Sequence, residues 1–298
     1  GRTRRGQKGN TRQSCALTPF ALWAVNNLTL HSRAKIPMKP SRWLFAFVLL
    51  IGVGLSINAS AADKIGVVVL HGKWGSPDGH TSGLANFLAG EGFLVASPEM
   101  PWSGRRTYDK GADAFVTEID AAAAELRAKG AKKIAIVGHS QGASAALYYA
   151  TQRQVDGIAL IAPGGYPQSK TFLENYAAAV AEARALVGQG KTDAPVVFTD
   201  LNTGNRSRGM RVPARSVLDY FDPEGPMNSH QNAARVKTGV AVLLAAPKRE
   251  SEGLKRLSNE TYEKLAANAK PSRVEIDADH LQAPDAAKEP VSEWLKQL

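Results

Sequence analysis

The sequence predicts an α/β fold, with a mostly parallel central sheet flanked by helices. Short apolar runs rich in β-branched residues alternate with longer amphipathic segments, and Gly and Pro separate them. Hydrophobic residues make up 44% of the 298 residues, which is enough for a substantial core, and there is a single cysteine. These numbers exclude a disordered chain and a small module held together by disulfides.

The first half alternates strands with helices. Residues 65–70 form a continuous β-branched run, as expected for a strand that is buried on both faces. The helical segments place apolar residues on one face and end at glycines. The predicted strands are residues 65–70, 93–97, 133–137 and 157–162, and the predicted helices are residues 84–90, 111–129 and 143–151.

The second half is less regular but continues the alternation. A helix over residues 170–187 is followed by two short apolar runs that predict strands, with a polar Gly/Asn/Arg loop between them that we expect to be mobile. These strands are residues 196–199 and 217–221, the loop is residues 202–211, and the later elements are strand 239–245, helix 261–269, strand 273–276 and helix 285–298. No repeat or linker interrupts residues 62–298, so they predict one domain.

The excess positive charge lies at the front of the chain. The formal net charge is +10, but nine basic residues and no acidic ones lie before residue 62. From Met38 the sequence is typical of an export signal: Lys39 and Arg42, an apolar run over residues 43–57, and then Ala59-Ser60-Ala61 as a cleavage site. We therefore expect residues 1–37 to be an upstream extension outside the native protein, residues 38–61 to be a signal peptide, and the domain to be periplasmic or secreted.

The sequence also argues against several kinds of partner and cofactor. The apolar run of about 15 residues is short for the roughly 20 that a spanning helix needs, so no stable membrane anchor is expected after cleavage. The remaining chain is nearly neutral, which removes the charge argument for a nucleic-acid partner. The sequence contains no metal-ligand spacing, phosphate loop or dinucleotide motif, so it predicts no cofactor and no metal.

One motif indicates a nucleophilic serine. Residues 138–142 read Gly-His-Ser-Gln-Gly, a G-x-S-x-G pattern that follows a predicted buried strand and precedes an alanine-rich helix. This context is typical of a nucleophile elbow, in which a sharp turn lifts the serine hydroxyl above the sheet. Ser140 is therefore the candidate nucleophile.

A serine needs a base, and the base needs an acid to orient it. His280 follows the last predicted strand, so it lies at the same sheet edge as Ser140, and we expect it to be the base. Glu250 follows strand 239–245 and fits the chain order of nucleophile, acid and histidine. Asp222, after the predicted strand 217–221, is the alternative acid.

The developing negative charge of an acyl transfer needs hydrogen-bond donors. One is the backbone N–H of Gln141, directly after the nucleophile. The other is expected from the loop after the first strand, residues 71–75, where the backbone N–H of Lys73 is the best candidate. This prediction uses the backbone of Lys73 and not its side chain.

Loops at the carboxyl ends of parallel strands line the pocket in this kind of fold. The candidate wall residues are therefore Trp74, Met100, Trp102 and Tyr166. The helix over residues 170–187 is a candidate cap over the pocket.

From about residue 64 to residue 298 the chain resembles the α/β-hydrolase superfamily. The resemblance rests on the HG-x-x-G loop at residues 71–75, the G-x-S-x-G elbow at 138–142 and the late histidine, His280. It implies a serine hydrolase that acts on a small-molecule ester or related acyl compound. The chain departs from the superfamily's usual Gly-x-x-Asp by having Pro-Lys-Arg-Glu at 247–250, so a non-catalytic binding protein on the same fold is the alternative.

Overall fold

The computed structural model describes residues 64–266, 269 and 271–298. The predicted upstream extension and the signal peptide lie outside these described residues. Within the described ranges, no helix has both the length and the apolar character that crossing a membrane requires.

The first half of the domain alternates strands and helices as the sequence predicts. Its elements are β1 (Ile65–Leu70), α1 (Ser82–Gly90), β2 (Leu94–Ala96), α2 (Ala112–Ala128), β3 (Lys133–His139), α3 (Gln141–Gln152) and β4 (Gly157–Ile161). The second half contains α4 (Lys170–Gly188), β5 (Pro195–Asn202), β6 (Arg206–Pro213), α5 (Ala214–Phe221), α6 (Ser229–Arg235), β7 (Ala241–Pro247), α7 (Glu252–Ala266), β8 (Ser272–Ile276), α8 (Ala283–Ala286) and α9 (Lys288–Leu295).

Six strands form the central sheet, in the order β2-β1-β3-β4-β7-β8. Every neighbouring pair in it is parallel, which confirms the predicted fold class. The strand order reverses at β1, because the chain goes outward to β2 and then returns to β3 on the other side. Ligands of open α/β sheets bind at such a switch point, outside the carboxyl ends of the strands. Here that point lies between the ends of β1 and β3.

Both faces of the sheet are covered. Alternate residues of β1 belong to separate core clusters, with Val68 and Leu70 on one face and Val67 and Val69 on the other. The first cluster includes residues of α2 and α3, and the second includes residues of α1 and α9. A strand buried on both faces needs apolar residues at successive positions, which explains the continuous run in β1.

The predicted strand at residues 217–221 is wrong. This segment is the end of helix α5, which buries Val217, Tyr220 and Phe221. Their spacing of three and four residues matches one face of a helix. A short apolar run is compatible with the periodicity of a strand and with that of a helix. Packing against the rest of the domain decides which of the two structures forms.

The predicted mobile loop at residues 202–211 is also wrong. Strands β5 and β6 pair antiparallel as a two-stranded sheet, and β6 covers most of that range. Gly204 and Asn205 have positive φ angles of 77° and 57°, as is usual for hairpin turns. Only Met210 and Val212 of β6 are buried, so the strand shows little apolar pattern in sequence. We call β5 and β6 the hairpin below.

The crossing of α3 over β1 leaves no room for a side chain at Gly142. A Cβ there would lie 2.5 Å from the carbonyl oxygen of Leu70 and 2.8 Å from that of His71. Because both neighbours are backbone atoms, they cannot rotate away. The close approach of strand and helix therefore requires glycine at this position of the elbow.

We expect Gly142→Ala to lower the free energy of unfolding by about 1–3 kcal/mol, as overpacking of a close contact does. The matched control is Gly90→Ala at the end of α1, where a Cβ would meet nothing within 4 Å. That change should leave stability unchanged or raise it by less than about 1 kcal/mol. Urea denaturation measures both, and equal effects of the two substitutions would contradict the crowding at Gly142.

Candidate active site

Ser140 occupies a sharp turn between β3, which ends at His139, and α3, which begins at Gln141. Its φ of 55° and ψ of −119° are costly for a residue with a Cβ. Hydrogen bonds hold the turn: the Ser140 N–H donates to Ile161 O at 3.0 Å, and the Ser140 carbonyl accepts the N–H of Gly164 at 3.2 Å. This geometry is that of a nucleophile elbow.

Three predicted site residues are brought together at this turn. His280 Nε2 lies 2.9 Å from Ser140 Oγ, and His280 Nδ1 lies 2.5 Å from Glu250 Oε2. The second carboxylate oxygen of Glu250 accepts the N–H of Ser251 at 2.9 Å. A carboxylate accepts the Nδ1 proton, so the neutral ring presents an unprotonated Nε2 to the serine hydroxyl.

Two neighbouring strands position His280 and Glu250. Glu250 follows β7 and His280 follows β8, and the ends of these parallel strands are paired at Pro247 and Ile276. The two loops are then tied by backbone hydrogen bonds, from Lys248 N–H to Ile276 O at 2.9 Å and from Arg249 N–H to Ala278 O at 3.0 Å. The side chains of His280 and Glu250 are 6% and 8% exposed, so their interaction is largely shielded from water.

The structure does not support Asp222 as the acid. Both of its carboxylate oxygens bind the guanidinium of Arg184, at 2.7 and 2.6 Å. The residue follows helix α5, not a strand of the central sheet. The case for Asp222 rests on a strand at residues 217–221, and that segment is a helix. The prediction of Asp222 as the alternative acid is therefore wrong.

His139 supports the backbone of His280. Its Nε2 lies 2.8 Å from the carbonyl oxygen of His280, so this nitrogen carries a proton and donates it. Burial lowers the pKa of His139 to about 3, so the ring is neutral near pH 7. The ring therefore holds the loop of the candidate base without adding charge beside it.

The loop at residues 71–75, which we call the oxyanion loop, has a fixed peptide at Gly72–Lys73. The carbonyl of Gly72 accepts the N–H of Gly75 at 3.0 Å and faces His71 Nδ1 at 2.9 Å. His71 Nε2 accepts the N–H of Met100, so Nδ1 is the protonated nitrogen. Because the peptide is planar and trans, the Lys73 N–H points away from these donors.

The residues of the two predicted donors line one cavity. Lys73, Gln141 and Ser140 all line it. Among the described residues, the Lys73 and Gln141 N–H groups have no hydrogen-bond acceptor, whereas the N–H of Trp74 is used by Trp102 O at 3.0 Å. Free backbone donors beside a nucleophile can stabilise a developing oxyanion.

The cavity over Ser140 has a volume of about 480 Å³. Tyr166 lines the cavity, as predicted for a wall residue. The first part of α4 also lines it, as predicted for a cap. Trp74 lines a smaller adjoining pocket of about 60 Å³. The apolar and aromatic lining residues of the larger cavity are Tyr166, Phe172, Tyr176, Leu201, Leu254 and Leu257.

Trp102 and Met100 are wrong as pocket walls. Both are fully buried behind the oxyanion loop. The indole N–H of Trp102 donates to His71 O at 2.8 Å, and the backbone N–H of Met100 donates to the His71 ring. They support the oxyanion loop from behind and do not line the cavity.

Two residues near the site were not found from the sequence. Gly164 packs so closely that a Cβ would lie 2.9 Å from Ser140 Oγ, and the Pro-Gly-Gly run after β4 was the only signal. Asp200 of β5 is fully buried and binds the side chain of Lys73 at 2.7 Å. An aspartate at the end of the apolar run 195–199 was its only sequence signal. Within the described residues, no group of three or more His, Cys, Asp or Glu is placed to hold a metal ion.

Comparison with protein families gives a match to the model described as the Alpha/beta hydrolase family, over residues 67–293. No curated protein matches the chain by sequence. Several solved structures share the fold at low identity, so the likeness concerns the fold alone.

Three of these structures illustrate the likeness. A monoacylglycerol lipase from Paleococcus ferrophilus is 21% identical, with a TM-score of 0.56 over 78% of this chain and 94% of that one. A thermostable carboxyl esterase from Bacillus coagulans is 15% identical, with a TM-score of 0.54 over 80% and 90%. A metagenome-derived lipolytic enzyme is 19% identical, with a TM-score of 0.53 over 79% and 95%.

The pKa of His139 makes stability depend on pH. Its pKa is about 3 in the folded chain and about 6.5 when unfolded, so between these values only the unfolded chain binds the proton. Stability therefore falls as the pH drops below 6.5, and this group accounts for about 2 kcal/mol between pH 7.5 and pH 5. His139→Gln keeps a donor for His280 O and removes the titration.

Urea denaturation of the parent and of His139→Gln at the two pH values measures this contribution. We expect the parent to lose about 2 kcal/mol more than the variant on acidification. Equal losses in the two proteins would contradict the neutral, buried state of His139.

Proposed function

The chain belongs to the alpha/beta hydrolase family, and we propose that it is an exported serine hydrolase that cleaves an ester or related acyl bond through an acyl-enzyme on Ser140. The observation that carries the proposal is the hydrogen-bond chain from Ser140 through His280 to Glu250. Each member has the neighbour that its role needs. The serine faces a base, and the base faces a carboxylate.

In the first step, Ser140 Oγ attacks the acyl carbon while its proton passes to His280 Nε2. The carbonyl π electrons move onto oxygen and give a tetrahedral intermediate. Glu250 holds the Nδ1 proton and stabilises the imidazolium that forms. The intermediate then collapses, and His280 gives the Nε2 proton to the departing alkoxide. The products of this step are an alcohol and an ester of Ser140.

In the second step, water takes the place of the alcohol. His280 Nε2 accepts a proton from this water as its oxygen attacks the acyl carbon. Collapse of the second tetrahedral intermediate breaks the bond to Ser140 Oγ, which recovers the proton from His280. The net reaction converts an ester and water into a carboxylic acid and an alcohol.

Both tetrahedral intermediates carry a negative oxygen. The backbone N–H groups of Lys73 and Gln141 are the donors that we assign to it. They line the same cavity as Ser140, and their lack of an acceptor among the described residues supports this role. Loss of one such donor costs about 10²–10³ in kcat.

The cavity supports a substrate with an apolar group of moderate size. Its volume of about 480 Å³ falls in the range of small-molecule sites, and more of its surface is apolar than polar, with six aromatic and aliphatic side chains in the lining. The folds of the lipases and esterases described above make carboxylic esters the first substrates to test. Export is proposed on the composition of residues 38–61 alone.

We expect Ser140→Ala to abolish hydrolysis of p-nitrophenyl acetate. Glu250→Gln should lower kcat by about 10³–10⁴-fold, because the histidine loses the acceptor that fixes its tautomer. Initial rates under saturating substrate measure both, with circular dichroism to check folding. The matched control is Asp222→Asn, which loses only the pair with the half-exposed Arg184 and should keep the parent's kcat.

A parent chain that folds but neither hydrolyses the ester nor changes on Ser140→Ala would favour a binding protein on the same fold. A large loss in Asp222→Asn with none in Glu250→Gln would contradict the assignment of Glu250. The first result would contradict the proposed reaction, and the second would contradict only the assignment of Glu250 as the acid.

Expression of residues 38–298, which begin with the proposed signal peptide, in a Gram-negative host tests the proposed export. Signal cleavage after Ala61 should yield a periplasmic protein that begins at Ala62, because the small residues 59–61 fit the cleavage site. Intact-mass spectrometry of the periplasmic fraction measures the terminus. A protein that stays in the cytoplasm with residues 38–61 attached would contradict export.

A further inference from the structure

We propose that Asp200, on the hairpin, is a positioning residue that holds the oxyanion loop beside Ser140 through a buried ion pair with Lys73. The inference rests on the proposed function, because it assigns Asp200 a part in the reaction at Ser140. Asp200 does not contact the nucleophile and acts through Lys73 and Trp74.

The carboxylate of Asp200 is fully buried and accepts four hydrogen bonds. Oδ1 accepts from Lys73 Nζ and from the Tyr176 hydroxyl, each at 2.7 Å. Oδ2 accepts from the indole N–H of Trp74 at 2.9 Å and from the Tyr108 hydroxyl at 3.1 Å. With two donors on each oxygen, the carboxylate is fixed in orientation.

The ammonium group of Lys73 is also largely enclosed. The side chain is 8% exposed, and Nζ also donates to the carbonyl of Leu201 at 2.9 Å. Three aromatic rings face Nζ with centroid distances of 5.3–5.7 Å, which is within the range of cation–π contacts. These rings belong to Phe172, Tyr176 and Phe221. Burial lowers the pKa of Lys73 from its ordinary value, and the pair with Asp200 opposes that shift.

These contacts immobilise the loop backbone from both sides. Lys73 and Trp74 are consecutive, and their side chains end on the same carboxylate. The carbonyl between them accepts the Asn202 side-chain N–H at 3.2 Å, and the Trp74 N–H donates to Trp102 O at 3.0 Å. Trp74 has a φ of 55°, a conformation that is strained for a residue with a Cβ and persists only where the surroundings hold it.

Stability alone does not account for this arrangement. A buried ion pair gives little net stability compared with apolar residues of the same volume, because both charges lose their hydration. What the pair does provide is a defined position for the peptide that carries the Lys73 N–H. The Tyr108 hydroxyl also lies 3.4 Å from the side-chain oxygen of Gln141, so the same cluster reaches the residue of the second donor.

The test compares Asp200→Asn with Asp219→Asn. Asp219 is also a buried aspartate, paired with Arg215 at 3.1 Å and accepting the N–H of Ala112, but it has no contact with the oxyanion loop. Both changes remove a buried charge, so both should destabilise the domain. Only Asp200→Asn should alter the reaction.

We expect Asp200→Asn to lower kcat for p-nitrophenyl acetate by about 10²-fold while KM stays unchanged, because the oxyanion donor acts in the transition state. Affinity for a trifluoromethyl ketone, which forms a tetrahedral adduct with an active serine, should fall in parallel. Asp219→Asn should retain the parent's kcat and inhibitor affinity.

Parent values of kcat and inhibitor affinity in Asp200→Asn would overturn the proposal, and so would equal losses in Asp219→Asn. If Asp200→Asn does not fold, the double variant Lys73→Met with Asp200→Asn replaces it, because it leaves no unpaired charge. That variant should show the same loss of kcat at unchanged KM. Full activity in it would also overturn the proposal.

Amide hydrogen exchange separates this inference from the proposed function. Residues 71–75 should exchange faster in Asp200→Asn than in the parent, and at the parent rate in Asp219→Asn. A folded parent without hydrolysis would defeat the proposed function, and the exchange result would still decide whether Asp200 anchors the loop. Unchanged exchange in Asp200→Asn would overturn the anchoring.

Discussion

The sharp turn at Ser140, with its positive φ, determines where the other groups of the site must lie. It places the hydroxyl at the carboxyl edge of the sheet, where the loops after β7 and β8 present Glu250 and His280. The turn is costly by itself, and it persists because β4, the Gly164 segment and the crossing at Gly142 hold it in place. The candidate nucleophile, base and acid therefore lie in a turn and two loops that follow parallel strands of the central sheet.

The sequence predicted the central sheet well because its four inner strands, β1, β3, β4 and β7, are buried on both faces. A continuous β-branched run such as residues 65–70 has few alternatives, and the family match agrees with the resemblance inferred from the motifs. The errors fall in short segments that are apolar on one side only. Residues 217–221 fit a strand or a helix equally, and contacts distant in sequence decided between them.

The site was predictable where a residue's role follows from its position after a strand. Ser140, Glu250 and His280 each lie within four residues of the end of a strand of the central sheet, so topology predicts that they meet at one sheet edge. The choice of Glu250 over Asp222 needed the structure. The side chain of Lys73 could not be interpreted in this way. Its partner Asp200 is 127 residues away, on a hairpin whose polar strand resembles a loop in sequence. A single sequence carries no signal for such a pairing.

Covalent modification tests whether Ser140 is an activated nucleophile. The folded domain is treated with a fluorophosphonate, and the site of the adduct is mapped by peptide mass spectrometry. We expect one adduct, on the peptide that contains Ser140. The denatured chain and the His280→Ala variant should form no adduct, because an isolated serine hydroxyl is a weak nucleophile. A folded parent that forms no adduct, or forms one on another residue, would show that Ser140 is not activated.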